Sequence, residues 1–396
     1  MQMQPLSGVK VLDLSHVLAG PYCTMVLGDM GAEVIKVEQY PDGDLIRATG
    51  PFRNGLSYSF TMINRNKQGL RLNLMTEQGR EILYRLVETA DVFVENFRPG
   101  VAKKLGIDYE TLKQLNPKLI YCSISGYGQT GPQSQKGGLD IMAQGMSGIM
   151  SMTGEKNGRP VKVGIPIHDI GAGITALYHV LFAYIHRMKT GEGQYIDVSL
   201  VESGLAWTVW EAAAYFGEGE VPSPNGSRHR RIAPYQGYRT QTGYILIGVV
   251  NAKMWERFCR YVVEKEEWIK DPRFATVNDR VTHVDELESA MEEVLLQQPS
   301  EYWLERLEVQ GIPCGPIYTY DEVLQNEQTI HREMILEYEH PVAGPMKTLG
   351  FPAKMSRTPA HFRMPAPSLG QHSELILKQL DYTEEEIEQF KSESII

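Results

Sequence analysis

The residues with the clearest capacity for chemistry lie in Gly164-Ile165-Pro166-Ile167-His168-Asp169-Ile170-Gly171-Ala172-Gly173. An apolar extended segment meets an aspartate, and a helical pattern follows. Ile170, Ile174, Leu177, Val180, Leu181 and Tyr184 recur at three- and four-residue steps, the period of a helix with one buried face. Asp169 is predicted to start that helix as its N-cap. Partial positive charge and unpaired N–H groups gather at a helix N-terminus, so the carboxylate is predicted to stay ionised. Gly171, Ala172 and Gly173 leave the first turn almost bare, which lets a ligand or another backbone approach. Two roles fit: a structural capping carboxylate, or a carboxylate nucleophile at the mouth of an α/β crevice.

Other chemistries lack their motifs. The ten histidines show no H-x-x-x-H or comparable pairing, so no metal site is predicted. No G-x-S-x-G elbow and no Walker loop occur. No G-x-G-x-x-G is present, so a nicotinamide or flavin dinucleotide is not indicated. His16 follows a strand and precedes a tight Ala19-Gly20-Pro21 turn; its ring either bonds a neighbouring backbone group or serves a ligand. The cluster Arg228-His229-Arg230-Arg231 reads as a solvated linker or as a receiver of carboxylate or phosphate, which Arg binds bidentately.

The elements that must position these residues alternate. Strands are predicted at Val9–Leu14, Glu33–Glu38, Gly69–Leu74, Asp91–Glu95, Leu119–Ile124 and Tyr195–Ser199, with helices between them. Pro21 suits the first turn of the first helix; Thr76 and Asp108 cap later ones. The fold class is therefore α/β, a doubly wound, Rossmann-like parallel sheet. Such sheets bind ligands beyond the strand C-termini, where His16–Pro21, Asn96–Gly100 and Ser125–Pro132 form polar, Gly-rich loops. Asp140–Ser151 and Glu202–Phe216 read as helices, and Thr190-Gly191 stops the helix after Asp169. Gly, Pro, Ser and Asn dominate the start of 217–231, a linker signal. A hairpin (Tyr235–Thr240, Tyr244–Val249) and helices at Trp255–Val263 and Val284–Leu296 then make a smaller α+β unit. Pro341–Pro367 is predicted irregular, and Glu374–Leu380 and Glu384–Phe390 helical.

Composition narrows the class. The chain has 396 residues, 42% hydrophobic and 22% charged, with a net charge of −10, which disfavours nucleic acid as a partner. Its four cysteines, Cys23, Cys122, Cys259 and Cys314, have no C-x-x-C spacing and read as free thiols of a reducing compartment. The first residues lack a secretory pattern, and no apolar run is long enough for a membrane span. A cytoplasmic location is expected; an organelle presequence removed beforehand is compatible with this start.

Many ordered motifs together resemble the family III (CaiB/BaiF, formyl-CoA-transferase-like) acyl-CoA transferases. They run from Leu6 to His16, through Ala19-Gly20-Pro21, Gly31–Glu38 and Asn64-Arg65-Asn66-Lys67, to Val94–Gly100, Ser125–Pro132 and Thr190–Gln194. Ile312–Pro316 and Leu369-Gly370-Gln371-His372 extend the likeness nearly to the end. The resemblance implies a large CoA-binding domain in residues 1–217, a linker and small α+β domain in 218–330, and a return to the large domain in 331–396. It also implies two interlocked ring-like subunits. Asp169 falls at the family's nucleophile. His16, Val17, Ala19, Leu72, Asn96, Phe97 and Lys104 fall at CoA contacts, Lys104 suited to the phosphates. No tightly bound cofactor or metal is implied; coenzyme A and acyl-CoA are substrates, and carboxylic acids the partners.

The implied reaction is covalent. The Asp169 carboxylate attacks a thioester, giving a mixed anhydride and CoA thiolate; the thiolate then gives an aspartyl-CoA thioester and free donor acid, and the acceptor acid reverses the sequence. The formyl-CoA/oxalate members carry Gln where this chain has Leu18, a glycine run where it has Gly248-Val249-Val250-Asn251, and a tyrosine where it has Leu139. The motif wording is closer to succinyl-CoA:dicarboxylate transferases, and an arginine of Arg228–Arg231 is a candidate for the second carboxylate. The alternative on the same fold is a 2-methylacyl-CoA racemase. It needs an acid/base pair, and its His is replaced here by Leu139 in Gly138-Leu139-Asp140, leaving His168 as a substitute base to consider. An acyl-CoA-binding protein without activity is the non-enzymatic reading.

Overall fold

Six strands form the large sheet: β1 (Lys10–Asp13), β2 (Glu33–Gln39), β3 (Lys67–Leu72), β4 (Val92–Glu95), β5 (Ile120–Ser125) and β6 (Tyr195–Ser199). All neighbours are parallel, in the order 3-2-1-4-5-6. Successive strand residues face opposite sides. Val11, Val34 and Val94 therefore meet Cys23 and Leu27 of helix α1 (Ala19–Asp29) on one face. Leu12, Leu70 and Phe93 meet Ile82, Leu83 and Leu86 of helix α2 (Glu77–Val87) on the other. With both faces covered, the strands are apolar rather than alternating. The computed structural model describes residues 3–396.

The chain divides into two compact units, one made of the residues up to Met150, Lys162–Gly219 and His331–Ile396, the other of Ser151–Val161 and Glu220–Ile330. In the first, helices α3 (Asp140–Met146), α4 (Ile167–Thr190) and α5 (Leu200–Leu205) follow β5 and flank β6. Small residues on α4, Ala172, Ala176 and Ala183, bury that helix closely within the core. Its opposite side is also apolar: Ile174, Tyr178, Phe182, Ile185 and Met188 are exposed, Phe182 by 60% and Met188 by 73%. A helix that is apolar all round has more surface to bury than this unit covers.

Three expectations are corrected. The helix predicted over Asp140–Ser151 is two short ones, α3 and Ile149–Met152. That predicted over Glu202–Phe216 breaks between α5 and Val209–Glu218. Pro341–Pro367 is not irregular throughout: Ile335–His340 and Gly344–Leu349 pair as an antiparallel hairpin. The buried His340 ring holds its turn, Nδ1 accepting from the N–H groups of Val342 and Ala343. The second unit has a three-stranded antiparallel sheet of Tyr235–Thr240, Gly243–Gly248 and Cys314–Pro316 over a core with Trp255, Phe258, Leu287 and Leu307.

Candidate active site

The strand order reverses between β1 and β4, so the loops that leave them diverge and open a crevice. The loops are tied across it. Asn96 Oδ1 accepts from the His16 N–H at 2.7 Å, and Asn96 Nδ2 donates to the His16 carbonyl at 2.8 Å. Beneath lies a buried charge cluster. Lys67 donates to Asp13 at 2.8 Å, Lys36 to Asp44 at 2.9 Å, and Arg47 holds Glu38 bidentately at 2.6 and 2.7 Å. Burial alone would raise the Asp13 carboxyl; the ammonium groups of Lys36 and Lys67 outweigh it and hold the group well below its usual range. Asp44 Oδ1 accepts from the Val17 N–H at 3.0 Å. Val17 is a β-branched residue at φ 67°, a strained conformation that persists where its surroundings impose it.

His16, Leu72 and Phe97 line one cavity of about 130 Å³ at this edge, together with Leu14, Met75 and Leu105. The His16 and Phe97 rings lie 5.5 Å apart. Burial first, then the nearby Lys36 charge, lowers the His16 imidazole below its ordinary value, so it is neutral at pH 7. The Phe97 N–H donates to Glu95 at 2.7 Å. Glu95 is itself pushed up to about 7 by burial. Asn96 ties the rim through His16, while Val17 and Ala19 follow on the same loop. Lys104 stands on the exposed turn Val101–Lys104 and does not line the cavity. A larger cavity of about 550 Å³ lies at the other end of the sheet, against Lys10 and Glu33 where β1 and β2 begin, and holds none of these residues.

Asp169 sits on the first turn of α4, but not as its cap. The helix starts at Ile167 with Pro166 in the N-cap position. The cap comes from a distant element: Asp140 Oδ1 accepts from the His168 N–H at 2.9 Å and the Asp169 N–H at 3.4 Å. The second correction follows from the first. The Asp169 carboxyl is raised to about 6 by burial and then by the Asp140 charge, rather than held low by the helix end. At pH 7 roughly nine molecules in ten still carry it ionised. Among the described residues no cation or hydrogen-bond donor engages the carboxylate. A half-buried anion without a counter-charge, beside a second carboxylate, is a group available for nucleophilic attack.

His168 is structural. Its buried ring has Nδ1 2.7 Å from the Leu200 carbonyl, to which it donates, and Nε2 3.0 Å from the Ser147 hydroxyl. A Cβ on Gly204 would stand 1.8 Å from that ring. Leu139 is 65% exposed and offers no ionisable group. Of the basic cluster, Arg228 is paired with Asp285 and Glu288, and Arg231 with Glu220 at 2.8 Å. Arg230 donates to the Ser223 carbonyl at 2.6 Å.

Two charged groups that no local pattern assigns a role stand near residues singled out above. Asp140 stands in the Gly138-Leu139-Asp140 segment, and its ties to His168 and Asp169 span 28 and 29 residues, beyond any local signal. Arg98 lies inside the Val94–Gly100 motif; its guanidinium runs along Gly137, where an added Cβ would meet Nη2 at 3.1 Å.

A model of CoA-transferase family III matches residues 6–373. The chain belongs to CoA-transferase family III. It is similar to the succinyl-CoA:glutarate CoA-transferase of Mus musculus, 38% identical over 396 residues covering 100% of this chain and 91% of that protein. The succinate–glutarate CoA-transferase of Agrobacterium fabrum is 38% identical over 387 residues, 96% of each chain. Among solved structures, a CaiB/BaiF family protein from Brucella suis superposes with a TM-score of 0.86 at 38% identity, covering 96% of this chain and 100% of that one. This family III enzyme has no described helix long and apolar enough to cross a membrane. Among its described residues no group of three or more His, Cys, Asp or Glu side chains is arranged to hold a metal.

Proposed function

We propose that this enzyme moves CoA from a dicarboxylyl thioester of the succinyl class to a dicarboxylic acid of the glutarate class, with Asp169 as covalent nucleophile. One Asp169 oxygen attacks the thioester carbonyl, the C–S bond breaks, and CoA leaves as thiolate, giving a mixed anhydride. The thiolate attacks the Asp169 carbonyl carbon, releasing the donor acid and leaving an aspartyl-CoA thioester. The acceptor carboxylate attacks that thioester, and the returning thiolate attacks the acceptor's carbonyl, which frees Asp169. No proton transfer to a second base is needed.

The observation that carries this reading is the half-buried, uncompensated Asp169 carboxylate in a chain whose family transfers CoA. His16, Val17, Ala19, Leu72, Asn96 and Phe97 are the proposed CoA contacts, with Lys104 as an exposed cation for the phosphates. The racemase alternative needs a second acid/base group; the two ring nitrogens of His168 are already engaged. Arg98, without an acidic partner among the described residues, supplies a positive charge for the second carboxylate.

A second copy of this chain is the proposed cover for the exposed apolar side of α4 and for Trp210 and Phe216, exposed by 81% and 83%. The interlocked arrangement of the family is the form proposed for that dimer. The four free cysteines support a cytoplasmic setting.

Intact-protein and peptide mass spectrometry after rapid acid quench with succinyl-CoA tests the mechanism. A CoA-sized adduct on the peptide carrying Asp169, absent in Asp169→Ala, is expected. No adduct with succinyl-CoA or a panel of acyl-CoAs, together with α-proton exchange in deuterated water, overturns it in favour of racemisation.

A further inference from the structure

Helix α4 is capped from outside its own segment. The first N–H groups of a helix are unpaired within it and attract anions. Here Asp140, reaching over from α3, accepts two of them. Its other oxygen accepts from Gln144 Nε2 at 2.6 Å, and the fully buried Gln144 accepts from the Val163 N–H at 2.9 Å. The pair thus grips both the segment leading into α4 and its first turn.

Few other charges bear on this turn. Helix α1 brings Tyr22, Cys23 and Asp29, the last paired with Arg65. Strand β5 brings Tyr121 and Cys122, and β6 brings Tyr195 and Asp197, which takes the Gln129 N–H. Helix α5 brings the exposed Glu202. On α4 itself His168 is turned to Ser147 and Leu200. Among the described residues Asp140 is the one charged group acting on Asp169.

We propose that Asp140 is a positioning residue that keeps Asp169 strongly nucleophilic, by withdrawing the helix N–H groups from its carboxylate and setting a like charge beside it. This rests on Asp169 being the nucleophile. A carboxylate stabilised by its own helix terminus would be a weaker base and a weaker attacker. With Asp140 occupying those donors, Asp169 keeps its electron density for the thioester carbon.

Carbon-13 NMR titration of aspartate carboxyls tests this without relying on turnover. Asp169→Asn assigns the signal. In the wild-type enzyme the Asp169 midpoint is expected near 6. In Asp140→Asn, which keeps an acceptor for the N–H groups but loses the charge, the midpoint is expected to fall by at least about half a unit. The acid limb of kcat/KM should move with it, and kcat should drop. Asp140→Ser serves equally if the Asn variant does not fold, and Asp140→Glu should leave the midpoint near its wild-type value. An unchanged midpoint in the folded Asn or Ser variant overturns the proposal, even if activity falls. Should Asp169→Ala still transfer CoA, the nucleophile assignment fails instead, and Asp140 then tunes nothing in the reaction.

Discussion

Gly173 lies against Ala19: a Cβ at position 173 would stand 2.6 Å from the Ala19 carbonyl oxygen and 3.2 Å from the Tyr22 ring. This contact joins the turn bearing Asp169 to the loop proposed to hold CoA. Gly173→Ala is expected to lower stability by about 1–3 kcal/mol through overpacking and to lower kcat at least tenfold, since misplacement of a reacting group by about 1 Å is costly. Thermal unfolding and steady-state kinetics check it; a variant with wild-type kcat would separate the two loops functionally.

Asp169→Asn should stabilise the protein at alkaline pH. The carboxyl titrates near 6 in the folded chain against 3.8 ordinarily. Its ionisation therefore costs the folded state nothing well below pH 4, progressively more between these values, and the full amount above about pH 6. Removing the charge should add about 3 kcal/mol at pH 8 and only about 0.5 kcal/mol at pH 4. Urea unfolding at both pH values reads the difference.

Glu95 behaves in the same sense, shifted from 4.5 to about 7 by burial. Its destabilising effect appears as pH rises above its unfolded value and is complete above about pH 7. Glu95→Gln retains an acceptor for the Phe97 N–H, so the loop should keep its shape. The variant should gain about 3 kcal/mol at pH 8.5 and be neutral at pH 4, again by denaturant titration.

Lys67 donates to Asp13, Asn64 and the Pro21 carbonyl at 2.8, 2.8 and 2.9 Å. Lys67→Met leaves Asp13 buried with fewer partners and should cost about 3–5 kcal/mol. Combining it with Asp13→Asn should cost less than the sum of the two single changes, which a double-mutant cycle measures.

Arg98→Gln should raise KM for glutarate about tenfold, the scale of one charge-assisted hydrogen bond, and leave KM for pentanoate unchanged. If KM for the acyl-CoA rises equally with either acceptor, the guanidinium serves the CoA phosphates instead.

The parallel sheet was legible because its strands are short apolar runs separated by helical periods, and the place of Asp169 on the first turn of a long helix because a helical period follows it. The manner of its capping was not: Asp140 closes the helix from another element, so the helix starts three residues earlier than local chemistry implies. The hairpin at 335–349 was hidden by Pro341 and Pro345, yet a two-stranded ribbon tolerates proline where no ladder donor is needed. Leu72 and Phe97 were named from resemblance alone; their shared cavity depends on strands far apart in sequence.

The charge cluster under the crevice limits which single substitutions this chain can absorb. Three acids, Asp13, Glu38 and Asp44, oppose three bases, Lys36, Lys67 and Arg47, in the interior. A change at one position strands its partner without water, so replacements are tolerated only in matched pairs. The segments containing Asp13, Lys36–Glu38, Asp44–Arg47 and Lys67 thereby act as one unit, and exchanging one of them for a segment with a different charge pattern should stop the chain folding before its chemistry is ever tested.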